Sequence, residues 1–512
     1  MKLARNVGLG LANSIWTALL GLAVVPLYIK YLGIEAYGLI GFFATTQALF
    51  QILDLGMAPT INREIARSSA NGRWPEMRNL LHTLAVVYWC VAGMICLAML
   101  VAAPVISARW LKSSALDPGA IVPALRLMGL VIACRWPTGL YIGALNGLQR
   151  IDVSSGLNIA MSTIGNLGAV GVLAFISPTV GAFFLWQAGV GVVYALVLRW
   201  AAWRALGRAG GAVFDLQALK SIWRFSATMM ALTFAGLALS QFDKVLLSKL
   251  LTLDAFGQYV LAGVVASALS IVIAPFYNAI YPRFSAFIAG DQTSEVRKLY
   301  RVSGRLLAAV LFPVAMVIAV AGEELIRLWT GNPHLAQTVA PLAALLALGT
   351  AIHGTNYIPY ALQLAEGKTF IPLTSCFVLL AVMIPLTIAL TLLYGALGGA
   401  MAWVILHVLF VVLGTWLTHR YIGRWAGFPW LAREIGIPFL ICGSLGATAV
   451  YTINLTTFST YMRLVVVFTF ALGSVLATLA VSAELRSAVF AAVVAELRRL
   501  RAHDAADDAV RR

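Results

Sequence analysis

Long apolar runs recur along the whole chain, separated by short segments that hold most of its Lys and Arg. A membrane-spanning helix needs about 20 apolar residues. The runs fall near 7–29, 37–57, 80–103, 121–147, 153–176, 180–202, 224–248, 255–281, 305–329, 338–364, 370–394, 396–418, 434–454 and 461–481. The pattern predicts an all-α membrane protein of about fourteen transmembrane helices. Strand-like alternation is absent, which excludes a membrane β-barrel. Charged residues make up 11% of the chain, against roughly 25% in soluble domains. That leaves no room for a large water-exposed domain.

The charges also set the orientation. The opening Met1-Lys2-Leu3-Ala4-Arg5-Asn6 resembles a secretory signal, but its apolar run reaches Ile29 and further runs follow. It reads as an uncleaved first helix. With the N-terminus in the cytoplasm, all but nine of the 36 Lys and Arg lie on the inner side. The nine are Lys30, Arg109, Lys112, Arg126, Arg135, Lys244, Lys249, Arg327 and Arg463, several of them within helices. Arg63, Arg67, Arg73 and Arg78 share one inner loop, and Arg283, Arg297, Lys298, Arg301 and Arg305 share another. This is the positive-inside pattern of a bacterial inner (plasma) membrane protein. The net charge of +16 is therefore not a sign of nucleic-acid binding. An even number of spans returns the C-terminus to the cytoplasm, where residues 484–501 are amphipathic and Arg-rich. The five cysteines, Cys90, Cys96, Cys134, Cys376 and Cys442, sit in apolar segments without a CxxC pair, so neither a disulfide nor a metal site is expected.

An internal repeat is readable. Lys30-Tyr-Leu-Gly-Ile-Glu-Ala-Tyr-Gly38 aligns with Lys249-Leu-Leu-Thr-Leu-Asp-Ala-Phe-Gly257. The first copy joins expected helices 1 and 2, the second joins 7 and 8. Six helices separate them, so both copies point the same way across the bilayer. The implied architecture is two six-helix lobes, 1–203 and 204–419, related by a pseudo-two-fold axis along the membrane normal. Transporters commonly bind substrate between such repeats. Helices 13 and 14, within 420–483, lie outside the repeat, and 484–512 is a cytoplasmic basic tail.

No catalytic set stands out. Gly367-Lys368-Thr369 lacks the glycine that a phosphate-binding loop needs five positions before its second glycine, since position 362 is Leu. The six histidines form no HExxH or comparable cluster. The chain reads as a protein without cofactor or metal, and not as an enzyme.

Arg135 is the most informative residue. It falls near the middle of expected helix 4, where an arginine costs about 2.5–3.5 kcal/mol on insertion scales. Helical spacing puts Thr138, Asn146 and Gln149 on roughly the same face, and Pro137 is expected to kink the helix. Such an arginine either binds an anion in a wet cavity or is locked to carbonyls or to a carboxylate of a neighbouring helix. Helix 2 carries Gln47, Gln51 and Asp54 at helical spacing; helix 1 carries Asn13, Ser14 and Thr17; helix 10 carries His353, Asn356, Tyr357, Tyr360 and Gln363. These stripes suit a cavity that holds sugar hydroxyls. Member by member, the competing reading is interhelical hydrogen bonding worth about 0.6 kcal/mol per contact. Asp243 and Lys244 read equally well as an ion-coupling site and as a structural pair. Lys30 and Lys249, required by both repeat copies, read as structural.

Several motifs then occur in order. They are Leu32-Gly33-Ile34-Glu35-Ala36-Tyr37-Gly38, Leu53-Asp54-Leu55-Gly56, Asn62-Arg63-Glu64-Ile65-Ala66, Phe242-Asp243-Lys244, Ala255-Phe256-Gly257-Gln258-Tyr259, Tyr281-Pro282-Arg283 and Leu364-Ala365-Glu366-Gly367-Lys368. Their order and spacing resemble those of bacterial polysaccharide-repeat-unit flippases, the O-antigen and exopolysaccharide flippases of the multidrug/oligosaccharidyl-lipid/polysaccharide transporter superfamily. The resemblance implies a fourteen-helix, two-lobed flippase moving an undecaprenyl-diphosphate-linked oligosaccharide by alternating access. It also implies the glycan polymerase and chain-length machinery as partners. Two other readings stay open. A cation-coupled multidrug exporter of the same superfamily would be expected to carry a carboxylate deep in the first lobe and twelve helices; Asp54, near the cytoplasmic end, is the acid available. A membrane polysaccharide polymerase or ligase would be expected to carry a large outer loop with catalytic Arg or His. Here the longest outer loop, about residues 104–120, has Arg109 and Lys112 but no His.

The charge asymmetry makes the topology testable. Reporter fusions after residues 70, 210, 290 and 425 should report cytoplasm, and fusions near 114 and 458 the outer side. An outer signal at 290 would overturn both the helix count and the repeat.

Overall fold

The computed structural model describes residues 2–54, 56–207, 212–452 and 460–480. The amphipathic stretch and tail anticipated over 484–512 lie outside them. All regular structure among these residues is helical. The helices are α1 (Lys2–Leu32), α2 (Ile34–Phe50), α3 (Met57–Ala70), α4 (Trp74–Arg109), α5 (Pro118–Arg135), α6 (Thr138–Gly147), α7 (Ile151–Phe175), α8 (Val180–Ala205), α9 (Leu216–Leu250) and α10 (Leu253–Ser267). They continue with α11 (Ser270–Ala289), α12 (Thr293–Thr330), α13 (Pro333–Thr355), α14 (Tyr357–Ala365), α15 (Phe370–Tyr421), a single turn α16 (Phe428–Trp430), α17 (Ile437–Thr452) and α18 (Thr460–Ala480).

Local sequence sets several of the ends. Pro75 sits in the first turn of α4, where a missing N–H costs nothing. Asp117 caps α5 by accepting from the Gly119 amide at 3.1 Å, and Thr179 caps α8 through the Ala182 amide at 3.3 Å. Gly395, at φ +60°, interrupts α15 between the two runs expected at 370–394 and 396–418. Among the described residues nine helices are long and apolar enough to cross a membrane, or ten if the bent pair α10–α11 is one span. Their outward faces are apolar: α4 exposes Met94, Leu97, Val101 and Val105 while burying Leu81, Leu84 and Tyr88. A helix greasy on its outside belongs in lipid. The protein is an all-α, multi-pass membrane protein.

The chain forms two compact units. The first holds the described residues up to Leu261, with Leu328–Leu335 and Cys376–Gly399. Within it α5 packs between α4 and α8, α1 lies on α7, and α6 lies on α3. The α6–α3 contact depends on small residues: a Cβ added at Gly143 would meet the Ala58 carbonyl, and one at Gly147 the Asn62 carbonyl, both at 2.7 Å. Lipid gives helices no hydrophobic reason to associate, so close backbone approach supplies the attraction instead.

The two copies of the repeat meet in this unit. A Cβ at Gly38 would run into the Leu253 carbonyl, and one at Gly257 into the Ile34 carbonyl. These contacts are reciprocal in the alignment, since Ile34 pairs with Leu253 and Gly38 with Gly257. The segment after α4 binds both copies. Glu35 accepts from the amides of Ser114 and Ala115 at 2.7 and 2.8 Å. The Leu253 amide donates to the Lys112 carbonyl at 2.8 Å, and Lys112 Nζ donates to the Leu250 carbonyl at 2.9 Å. Lys249 lies 5.0 Å from the centre of the Trp110 ring.

The second unit holds Ala262–Arg327, Ala336–Ser375 and the described residues from Ala400 onward. Its α11 packs on α14, and α12 is tied to the C-terminal segments by three side-chain contacts. Arg305 of α12 pairs with the buried Glu434, Trp430 donates to the Tyr300 carbonyl at 3.3 Å, and Thr478 of α18 reaches the Ala309 carbonyl at 3.4 Å.

Because the facing atoms are backbone, side chains at the repeat crossing have nowhere to go. Gly38→Val and Gly257→Val should each lower folded protein recovered from the membrane several-fold, as overpacking by about 1–3 kcal/mol would. Gly93→Ala, with nothing within 4 Å of the added Cβ, should not. Detergent size-exclusion profiles of a fluorescent fusion measure this, and equal recovery of all three variants would contradict the crossing.

Candidate functional site

Apolar helices can enclose polar side chains only where something satisfies them. The first unit does so around a cavity of about 720 Å³. The helix expected around Arg135 breaks there: α5 ends at Arg135 and α6 begins at Thr138, with Pro137 in the break. Thr138 Oγ1 covers the Arg135 carbonyl, and the Trp136 indole donates to the Phe50 carbonyl at 3.1 Å, tying the break to the end of α2. Arg135 lines the cavity. Its Nη2 donates to Gln187 Oε1 at 2.6 Å, and its guanidinium lies 5.9 Å from the Phe43 ring centre. Gln187 is itself buried and is held by the Gly165 carbonyl at 3.4 Å. No described carboxylate lies within ion-pair distance of Arg135.

Apart from Asp54, the other polar wall groups are neutral. Asn158 donates to Asn13 Oδ1 at 2.8 Å and accepts from the Tyr194 hydroxyl at 3.0 Å. Tyr28 donates to Asn166 Oδ1 at 3.2 Å, and Asn166 to the Ser162 carbonyl at 2.8 Å. Gln47 and Gln51 line the same space. Asp54 lines it too, but Tyr88 holds one carboxylate oxygen and the Ala58 amide donates to the other at 3.3 Å.

The residues singled out from sequence therefore divide. Arg135, Gln47 and Gln51 face one cavity. Asn13 reaches its wall through Asn158. Asn146 and Gln149 do not line it. Asn146 accepts from Ser154 at 2.8 Å, between α6 and α7, and Gln149 is an exposed turn residue with φ +59°. The spacing argument fails for them because it assumes one unbroken helix, whereas the chain breaks after Arg135 and leaves α6 at Gly147. His353, Asn356 and Tyr360 belong to the second unit. There the His353 ring lies tilted against His407 at 4.4 Å and meets Tyr357 edge-on at 5.3 Å. Tyr360 stacks on Tyr277 at 5.9 Å, and Asn356 is buried beside Gly414. Asp243 is buried, accepts from Tyr259 at 2.7 Å and lies 3.6 Å from Lys244, linking α9 to α10. Tyr28, Asn158, Ser162, Asn166, Gln187 and Tyr194 were missed. Asn158, Ser162 and Asn166 sit four apart on α7, and Gln187 and Tyr194 seven apart on α8. The stripe argument used for helices 1, 2 and 10 would have found both. No group of three or more His, Cys, Asp or Glu placed to hold a metal occurs among the described residues.

Known proteins of this architecture can now be compared. A Shigella flexneri protein described as "Putative O-antigen transporter" is 24% identical over 423 residues, covering 80% of this chain and 97% of that protein. Among solved structures, the lipid II flippase MurJ in an inward closed conformation superposes with a TM-score of 0.63 at 14% identity, over 91% of this chain and 97% of that one. An inward-facing multidrug resistance MATE family transporter of the MOP superfamily gives a TM-score of 0.67 at 13% identity, over 80% of this chain and 95% of that one. These likenesses identify the fold. The family model described as "Polysaccharide biosynthesis protein" matches residues 3–288, more than half the chain, and the chain belongs to that polysaccharide biosynthesis protein family.

Proposed function

We propose that this protein flips an undecaprenyl-diphosphate-linked oligosaccharide from the inner to the outer leaflet of the bacterial plasma membrane. It crosses the bilayer about fourteen times, with both termini in the cytoplasm, and its two repeat lobes alternate in access. The observation that carries this reading is Arg135: a guanidinium inside a polar cavity, held by a neutral amide, with no described carboxylate at ion-pair distance. A buried cation needs an anion or strong acceptors nearby. A diphosphate supplies both, because paired charge-assisted hydrogen bonds match the planar guanidinium fork. The amides and hydroxyls of Gln47, Gln51, Asn158 and Tyr194 then serve the sugar hydroxyls. The family's part in polysaccharide biosynthesis and the likeness to an O-antigen transporter support the glycan. The fold shared with a lipid II flippase supports a lipid carrier. Asp243 and Lys244, already engaged with Tyr259 and each other, act as a structural pair. The glycan polymerase and chain-length machinery would receive the product.

A cation-coupled multidrug exporter shares the fold, and Asp54 lines the cavity. Both Asp54 oxygens are already engaged by the Ala58 amide and the Tyr88 hydroxyl, whereas the hydrogen bond of Arg135 to the neutral Gln187 amide leaves its guanidinium charge for an anion.

The test is a paired measurement on Arg135→Ala, Arg135→Lys and wild type: folded protein in the membrane, and glycan reaching the outer face. Arg135→Ala should insert and fold normally while export falls about tenfold or more, as loss of a charge-assisted hydrogen bond implies. Arg135→Lys keeps the charge without the fork and should retain partial export. Full export by the Ala variant would rule out the role assigned to Arg135. Loss of the folded protein itself would favour a structural arginine.

A further inference from the structure

A second polar feature lies on the outer flank of the first unit, apart from the cavity around Arg135. We propose that the groove between α4 and α8 binds the phosphate headgroup of an anionic membrane lipid. This goes beyond the translocation reading and does not depend on it; it requires only that the chain lie in a bilayer.

The groove has a volume of about 410 Å³ and is lined by His82, Val86 and Trp89 of α4 and by Arg199 and Trp203 of α8. It sits toward the basic end of both helices, where Arg78 of α4 donates to the Gly207 carbonyl just beyond α8. The Arg78 guanidinium lies 5.7 Å from the Trp203 ring centre, and His82 lies 6.4 Å from the same indole. Trp89 donates to the hydroxyl of Tyr141 on α6 at 3.0 Å, which fixes Trp89 in the groove wall. Arg199 is exposed and makes no hydrogen bond or ion pair with a described residue. Two acids lie near this end: Glu76 pairs with Arg73 at 3.2 Å, and Asp215, whose amide donates to Thr83 at 2.8 Å, accepts from the Gln217 amide at 2.8 Å; neither forms an ion pair with Arg199. Along both helices the groove's flanks continue as exposed apolar side chains, among them Val86, Val192 and Leu196.

Each part has a counterpart in a lipid. A guanidinium offers a phosphate two parallel donors. Indoles lie at the level of the headgroups, apolar on one side and wet on the other. Basic pockets between transmembrane helices on the cytoplasmic side hold anionic headgroups. The apolar flanks decide the source of the phosphate, since they suit acyl chains and offer nothing to a free ion. An arginine that merely snorkels to the interface would need no such groove and would show no headgroup preference.

The experiment uses the full chain in detergent, stripped of lipid and titrated with phosphatidylglycerol while native mass spectrometry counts bound lipid. Wild type should retain phosphatidylglycerol in preference to phosphatidylcholine, and inorganic phosphate should not displace it. Arg199→Gln should weaken that retention about fivefold, the contribution of one basic residue near a headgroup, and His82→Gln should weaken it less. Arg150→Gln is the control, since Arg150 is exposed and pairs with Asp152 at 3.3 Å outside the groove. Retention unchanged in either groove variant would overturn the proposal. So would an equal loss in Arg150→Gln, equal retention of phosphatidylcholine, or displacement by inorganic phosphate.

Discussion

Backbone amides and carbonyls in hydrocarbon have no water to bond, so a chain that crosses lipid must satisfy them within its own segments. Everything else in this protein follows from that constraint. It turns each apolar run into a helix and places the greasy side chains of α4, such as Met94 and Val101, outward. It also removes the force that assembles soluble proteins, because a helix leaving a neighbour for lipid loses no apolar burial. Association must then come from packing and from polar contacts between helices.

The first unit uses both means. Where α6 meets α3, and where the two repeat copies meet, glycine lets one backbone touch another. The repeat crossing is reciprocal, with Gly38 against the Leu253 carbonyl and Gly257 against the Ile34 carbonyl. A motif duplicated in sequence thus becomes a contact between its own copies. The charged residues of the motif serve this junction: Glu35 holds the amides after α4, and Lys249 lies on Trp110. Lys112 supplies both a backbone and a side-chain link to the second copy.

Polar contacts do the rest, and they also make the cavity. Arg135 is held by Gln187 rather than by a carboxylate. That difference separates an arginine that closes a fold from one that keeps a positive field inside it. A carboxylate partner would cancel the charge; an amide orients the guanidinium and leaves the charge in place. Asp54, on the same cavity, is likewise held by neutral groups, the Tyr88 hydroxyl and the Ala58 amide, and forms no ion pair with Arg135. The polar groups on α7 and α8 line the same cavity with neutral donors and acceptors.

By itself the sequence determined the class of the protein. Hydropathy and the placement of Lys and Arg depend only on composition along one dimension, and lipid reads them in that form. The repeat, the helix break near Pro137 and the outlying chemistry of Arg135 were legible for the same reason, because each is a local departure from an apolar helix. Which polar residues share a cavity was decided by the tertiary structure alone. The break after Arg135 and the end of α6 at Gly147 carry Asn146 and Gln149 away from the cavity, although an unbroken helix would have aligned them. The partner of Arg135, Gln187, comes from a helix 52 residues further along, at a separation no periodicity spans. His353, Asn356 and Tyr360 fall in the other compact unit. Helical period fixes which way a side chain points from its own helix axis, but the neighbour it meets depends on how whole helices pack.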